Sequence, residues 1–339
     1  MSIRRPLLLP LTPLYAAGLA IKDLAQRQGW LKQRRLEHPV ISVGSVSAGG
    51  AGKTPFVMML AAMLRRRGYD VSILTRGFGR APETIERVDP KGDAEWFGDE
   101  PMLMAQMPGV PVFVGADRYE AGLLAEQSES SEKIAVHLLD DGFQHRKLAR
   151  DVDIALLTRD DVQDWLLPAG NLREPLAMLR KADVIVVREE EAEELEGFLD
   201  RLKKEDKRPS VWMIRRSLQM DRILARPLAF CGIARPENFT AMLAAKGYDP
   251  VETVAFPDHH AYSARDITRL VEKARKHNAD GLITTEKDAV KLTPAMREQL
   301  GAVGPLLVAR LSVELVDEQE ALLRLITLCE RLDRRLQKR

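Results

Sequence analysis

Cysteine is almost missing from this chain. Its 339 residues include two, Cys231 and Cys329, too few for a disulfide framework and too far apart for metal-ligand spacing. Both are expected to be reduced thiols in a cytosolic protein. No charge sign dominates either. The 51 Lys and Arg face 50 Asp and Glu, for a net +1, which argues against a globally basic nucleic-acid binder. There is no tandem repeat and no low-complexity stretch. Long apolar runs are also lacking. The apolar start, Leu7-Leu8-Leu9, Leu11, Leu14, Tyr15, Leu19 and Ile21, is interrupted by Pro10 and Pro13 and closed by Lys22 and Asp23. That is short of the roughly 20 apolar residues needed to cross a bilayer, and it does not read as a signal peptide.

With 45% apolar and 30% charged residues, the chain can bury a core large enough for two α/β domains or one large one. Residues 13–28 read as an amphipathic helix flanked by Arg4, Arg5, Lys22, Arg27, Lys32, Arg34 and Arg35. Such a helix can lie on an anionic membrane surface, or pack its apolar face on the core. Downstream, apolar β-rich runs alternate with helical patterns: Val40–Val43, Asp70–Leu74, Val110–Val114, Ile134–Leu139, Asp153–Leu157 and Asp183–Val187. A charged helix is expected over Glu189–Lys204. After about residue 217 the pattern restarts, with strands at Pro227–Cys231, Pro250–Ala255, Gly281–Thr284 and Pro305–Ala309. The last helix begins near Asp317. Strands separated by helices predict a mostly parallel sheet with helices on both faces, plus a second, smaller α/β domain; the glycine-rich Ser47–Thr54 after the first strand makes the larger sheet P-loop NTPase-like. The expected divisions are an N-terminal segment over 1–35, a larger α/β domain over 36–217 and a smaller closing domain over 218–339.

The phosphate-binding signal follows the first strand. Ser47-Ala48-Gly49-Gly50-Ala51-Gly52-Lys53-Thr54 departs from G-x-x-x-x-G-K-[ST] only in Ser47 at the first glycine position. The glycines let backbone N–H groups converge on an anion at a helix N-terminus. Lys53 would meet the β- and γ-phosphates, and Thr54 would ligate Mg²⁺. The strand ending in Asp140-Asp141 has the Walker B arrangement, which delivers a carboxylate to that ion; which of the two binds it stays open. No N-K-x-D guanine clamp is present, so ATP is expected rather than GTP.

Further motifs accompany these: Thr75-Arg76-Gly77-Phe78, Gly98-Asp99-Glu100-Pro101, Asp140-Asp141-Gly142-Phe143-Gln144-His145, Leu166 to Pro175, Phe256-Pro257-Asp258-His259-His260 and Thr284 to Leu292. In this order, from about residue 10 to about residue 292, they resemble the tetraacyldisaccharide 4'-kinase (lipid A 4'-kinase) family. The resemblance implies Mg²⁺-dependent transfer of the ATP γ-phosphate to the 4'-hydroxyl of a tetraacyl glucosamine disaccharide 1-phosphate. It implies work at the cytoplasmic face of the inner membrane of a Gram-negative bacterium, with the N-terminal helix lying on that surface, and no nucleic-acid or protein partner. It assigns Asp99 and His259 to catalysis beside Lys53, with His260 as the nearer competitor for the histidine role. Glu100 joins Thr54, Asp140 and Asp141 in holding the metal. Arg76, Arg118, Gln144, His145, Arg173 and Glu174 are assigned to the lipid substrate. Asp99 and Glu100 are expected in a loop before a helix at Pro101, and Lys287 and Asp288 as an ion pair fixing a loop. Ser45, Phe78 and Asn171 stand where the family usually has Asn, Tyr and Pro, which touches binding details rather than the reaction. Two other readings stay open on the residues alone: a regulatory P-loop ATPase or GTPase that switches a membrane partner, and a kinase for a soluble metabolite.

Overall fold

The protein is described by a computed structural model covering residues 4–30, 32–80, 82–128, 134–202 and 209–336, with side chains through residue 327. The strands are β1 (Val40–Ser45), β2 (Asp70–Thr75), β3 (Glu86–Arg87), β4 (Val112–Val114), β5 (Ala135–Asp140), β6 (Val152–Leu156), β7 (Val184–Arg188), β8 (Ser210–Gln219), β9 (Pro227–Cys231), β10 (Glu252–Ala255), β11 (Gly281–Thr285) and β12 (Leu306–Leu315). They form one sheet, in the order β10-β9-β11-β12-β8-β7-β6-β1-β5-β2-β4-β3.

Two half-sheets lie within it. From β8 to β4 all neighbours are parallel, and β3 closes the edge antiparallel. On the other side, β12, β11, β9 and β10 are again parallel. An antiparallel ribbon joins the halves, in which Ile214–Gln219 of β8 pairs with Arg310–Leu315 of β12. The boundary expected at residue 217 therefore falls inside a strand. Arg215, Arg216, Arg310 and Glu314 make both ribbon segments too polar to stand out as strands in the sequence. The chain also returns. Leu322 and Leu325 of helix Glu318–Leu336 join the core of the first half.

Both faces of the first half are covered because its strands are apolar on both sides. Val184 and Val186 belong to the core under helix Lys53–Arg66, whereas Ile185 and Val187 pack against Leu195 and Leu199 of helix Ala192–Leu202. That helix begins after a 3₁₀ turn at Glu189–Glu191, and the end expected at Lys204 lies outside the described residues. Phe56 is wholly buried, a burial that stabilises by about 1.5–3 kcal/mol. In the second half, helices Pro236–Ala245 and Ala264–Lys276 pack on opposite faces. Cys231 is a buried free thiol, pushed up to about 12 by burial and then by Asp288.

At the N-terminus, a 3₁₀ turn (Pro6–Leu11) runs directly into helix Thr12–Arg27. The helix expected over 13–28 thus extends back to Pro6, past Pro10 and Pro13. Pro13 sits in the first α-helical turn, where the missing N–H costs nothing. The combined helix, Pro6–Arg27, has 22 residues and is long and apolar enough to cross a membrane. Its apolar side chains are exposed: Leu7 by 93%, Leu14 by 74% and Ile21 by 68%. Packing of that face on the core is thereby excluded. Polar groups dock the helix instead. Tyr15 Oη donates to the Arg173 carbonyl at 3.0 Å, and Lys22 Nζ to the Gln144 carbonyl at 3.3 Å. Asp23 accepts from Arg146 at 2.8 Å and Lys181 at 2.6 Å.

Candidate active site

The glycine loop follows β1 at the carboxyl edge of the sheet, with β5 and β6 on either side of β1. Gly49, Gly50 and Gly52 all have positive φ, at 71°, 70° and 87°, the conformation that turns successive N–H groups inward. Its far side is fixed by neighbours. Ala48 N donates to the Asn171 carbonyl at 2.9 Å, and Arg173 N to the Val46 carbonyl at 2.7 Å. Gln144 Nε2 donates to the Ser45 carbonyl at 2.8 Å. The close approach requires Gly44, because a Cβ there would stand 2.7 Å from the Phe143 backbone nitrogen.

Lys53 opens helix Lys53–Arg66, and its Nζ lies 3.4 Å from both Ser45 Oγ and Asp141 Oδ1. Arg173 grips Asp141 bidentately at 2.7 and 2.9 Å. Burial would raise the Asp141 carboxyl, but Lys53 and Arg173 together hold it far below the usual carboxylate range. Asp140, one residue earlier, is in the opposite condition. It is fully buried, and burial, Glu100 and Asp141 push its carboxyl well above the ordinary range. Its Oδ2 accepts from Thr75 Oγ1 at 3.0 Å, and its Oδ1 is buried with no hydrogen-bond partner. An orphaned carboxylate oxygen suits a hard divalent cation, which needs only one or two carboxylates from the protein, and Thr54 is buried in the adjoining helix turn; no group of three or more carboxylates or imidazoles is gathered for a metal among the described residues. The residues present therefore fit Mg²⁺, with Asp140 the better placed of the two aspartates because Asp141 is already neutralised.

A second cluster bridges the halves. Asp99 and Glu100 form the first turn of helix Asp99–Ala105, after Gly98 at φ 94°, and not the loop the sequence suggested. Asp99 Oδ1 caps the Glu100 N–H at 2.9 Å. From the second half, His259 brings Nδ1 to 3.0 Å from Asp99 Oδ2 and 3.1 Å from Oδ1. Burial alone would raise Asp99, but the His259 hydrogen bond and the Lys287 charge outweigh it and hold the carboxyl low. The same bond raises His259, against burial and Lys287. His259 has φ 59° and Asp141 φ 51°. Such left-handed backbone is strained in a side-chain-bearing residue, and strain of this kind concentrates at functional sites. His260 points elsewhere, to Asp266 at 3.1 Å and in a stack on Phe256.

Lys287 was not expected here. It reaches Glu100 at 3.0 Å, His259 Nε2 at 3.2 Å and Asp258 at 3.6 Å. It does not pair with Asp288, as the sequence suggested. Asp288 pairs with Lys291 at 2.8 Å and accepts the Gly232 N–H at 3.0 Å. The available signal was positional: a lysine two residues after the buried strand β11, in a helix capped by Thr285. Of the other substrate candidates, Arg118 is buried and lowered to about 10 by burial and then by the nearby Arg76, which is itself exposed. His145 is lowered to about 4 by burial and then by Arg118. Glu174 is buried and faces Arg146 at 3.4 Å, beneath the N-terminal helix. Among the departures, Ser45 Oγ donates to the Ser47 carbonyl at 2.8 Å. Asn171 Nδ2 donates to Asp164 at 3.0 Å, and the exposed Phe78 ring lies 5.6 Å from His259.

A family model described as tetraacyldisaccharide-1-P 4'-kinase matches residues 4–330. The chain belongs to this family. It is 42% identical over 332 residues to the tetraacyldisaccharide 4'-kinase of Koribacter versatilis, covering 95% of this chain and 98% of the relative. The same-named protein of Aquifex aeolicus is 39% identical over 304 residues, 85% and 90% of the two chains. The crystal structure of the "apo" form of the family member from Aquifex aeolicus, in complex with ATP, superposes with a TM-score of 0.74 at 33% identity, covering 95% of this chain and 98% of that one. The family places this protein among the kinases, in agreement with its P-loop architecture.

The neutral His145 has a consequence for stability. Because its pKa is lower folded than unfolded, the unfolded chain binds more protons between about pH 6.5 and about 4. Stability is therefore lost as pH falls through that window. His145→Gln should flatten the fall, measured as Tm against pH. A wild-type-like slope in the variant would show that His145 does not contribute.

Proposed function

We infer that this chain transfers the γ-phosphate of ATP to the 4'-hydroxyl of a tetraacyl glucosamine disaccharide 1-phosphate, a step of lipid A biosynthesis. The observation that carries the reading is the juxtaposition, in a member of this family, of a phosphate loop with a carboxylate–histidine pair spanning the two halves. The N–H groups of residues 47–52 and Lys53 hold the β- and γ-phosphates. Asp99, kept ionised and oriented by His259, accepts the proton of the attacking hydroxyl as the oxygen–phosphorus bond forms and the β–γ bridge breaks. The alignment of these groups depends on the halves staying together. Asp140 and Thr54 would hold Mg²⁺, with Glu100 joining them only by leaving Lys287, and the ion would offset the charge of the phosphates. Arg118 and the exposed Arg76, close enough to repel each other, suit an anionic acceptor. With radiolabelled ATP and purified protein in detergent, label should enter the lipid and not soluble glucosamine. Label released only as inorganic phosphate would point to a switch ATPase, and label on a soluble sugar to a metabolite kinase.

The helix Pro6–Arg27 lies on the anionic cytoplasmic face of the inner membrane. Tyr15, Lys22 and Asp23 anchor it along its length to the loops that carry Arg173, Gln144 and Arg146. Its exposed leucines can therefore enter the lipid without the helix leaving the catalytic half. Deletion of residues 1–28 should abolish most binding to anionic liposomes and raise the KM for lipid. Replacement of Arg27, Lys32, Arg34 and Arg35 by Gln should weaken the salt dependence. Equal co-sedimentation of the truncated and full chains would move the membrane contact elsewhere.

A further inference from the structure

Beyond the residues above, two arginines meet the phosphate loop and a third, Arg216, lies close enough to Arg188 to be felt by it; each is held differently. Arg188, at the end of β7, is buried and donates to the Gly50 carbonyl at 3.2 Å and to Glu191 at 2.7 Å. Arg216, on β8, donates to Glu190 at 2.7 Å. Both lower the readiness of a third positive charge to settle there, since Arg188 already feels Arg216 and Arg235 as repulsive neighbours. Yet Arg235 is there. It comes from the other half-sheet, in the turn after β9, and its side chain lies against Gly50. A Cβ at Gly50 would stand 2.7 Å from its Nε and 3.2 Å from its Cζ. The preceding Ala234 is the nearest neighbour of Gly49, at 3.8 Å from an added Cβ. Helix Pro236–Ala245 begins immediately after, so its positive end adds to the field at the loop.

We propose that Arg235 is a phosphate-binding residue for the nucleotide, delivered across the ribbon by the second half of the chain. The reading rests on ATP being the substrate. Its carboxylate contact is the weakest of the three: Asp160 at 3.3 Å, with both side chains partly exposed. The pairs that hold Arg188 and Arg216 are closer, at 2.7 Å. A polyphosphate on the loop offers Arg235 a stronger, doubly charge-assisted partner than this loose aspartate. Asp160 thus parks the guanidinium at the loop until phosphate takes it. The glycine at position 50 serves two ends: it permits the positive φ of the loop, and it leaves room for the guanidinium to lie on the backbone. Binding of the phosphates would thereby hold the second half down, along with the Gly232 turn that meets His259 N at 3.2 Å.

The test is calorimetric binding of ATP, ADP and AMP to the full chain, with circular dichroism melts as a check on folding. Arg235→Gln should weaken ATP and ADP by roughly tenfold or more and leave AMP within about twofold. Arg235→Lys, which keeps the charge, should fall between. Asp160→Ala should bind ATP as tightly as wild type or tighter. The proposal is overturned if Arg235→Gln binds ATP like wild type, if AMP weakens as much as ATP, or if Asp160→Ala weakens ATP as much as Arg235→Gln. That last result would make the pair a structural bridge. A wild-type chain that binds no ATP would instead sink the kinase reading, and this inference with it.

Discussion

Lys53→Ala should lower phosphoryl transfer by roughly a thousandfold or more, with the fold intact. The side chain opens helix Lys53–Arg66 at the end of the phosphate loop. Its partners are the Ser45 hydroxyl and Asp141, both at 3.4 Å. Removing the ammonium does not strand the aspartate, because Arg173 keeps its bidentate grip at 2.7 and 2.9 Å. Loss of a contact that matters only when charge moves through the transition state should therefore appear in kcat. The melting temperature should move by only a few degrees. Activity within about tenfold of wild type would remove the phosphate loop from the chemistry.

Asp99→Ala and His259→Ala should each lower kcat by about a hundredfold or more, with little change in the KM for ATP. The double variant should be little worse than the worse single one, because a carboxylate and the imidazole that orients it act as one unit. The geometry motivates this: Nδ1 of His259 meets both Asp99 oxygens, at 3.0 and 3.1 Å, and the two residues come from different halves of the sheet. Lys287 shapes the pair as well. At 3.2 Å from Nε2, its ammonium can only donate, which favours the tautomer with the ring proton on Nδ1, facing Asp99. Fully additive losses in the cycle would mean that Asp99 and His259 work separately.

How much of this was legible beforehand differs between elements. The phosphate loop and the acidic end of β5 were, because a buried apolar strand followed by glycines or aspartates leaves few alternatives. The alternation of buried strands and helices was equally plain. The ribbon was not. Its residues Arg215, Arg216, Arg310 and Glu314 lie where the strands leave the core, so neither hydrophobic periodicity nor a turn marks them. Motif order suggested that Asp99 and His259 belong together, but their meeting depends on the ribbon, a long-range feature with no local signature. Lys287 and Arg235 escaped for the same reason. Each is an ordinary surface cation in its own stretch of sequence, and only the packing of one half on the other gives it partners. The N-terminal prolines misled about length alone: counted as interruptions they made the apolar run look too short to span, whereas their position in the first helical turns is compatible with one continuous helix, Pro6–Arg27.

The central claim is a reaction: phosphate leaves ATP and arrives at one hydroxyl of an acylated disaccharide. The most direct measurement is to incubate the purified full chain with ATP, Mg²⁺ and tetraacyl disaccharide 1-phosphate in detergent, isolate the lipid, and locate the new phosphate by ³¹P–¹H correlation NMR. The account predicts a second phosphomonoester coupled to the proton on the 4'-carbon, formed by wild type and absent with Lys53→Ala. A lipid that returns unchanged while ATP is consumed, or a phosphate found on any other hydroxyl, would contradict it.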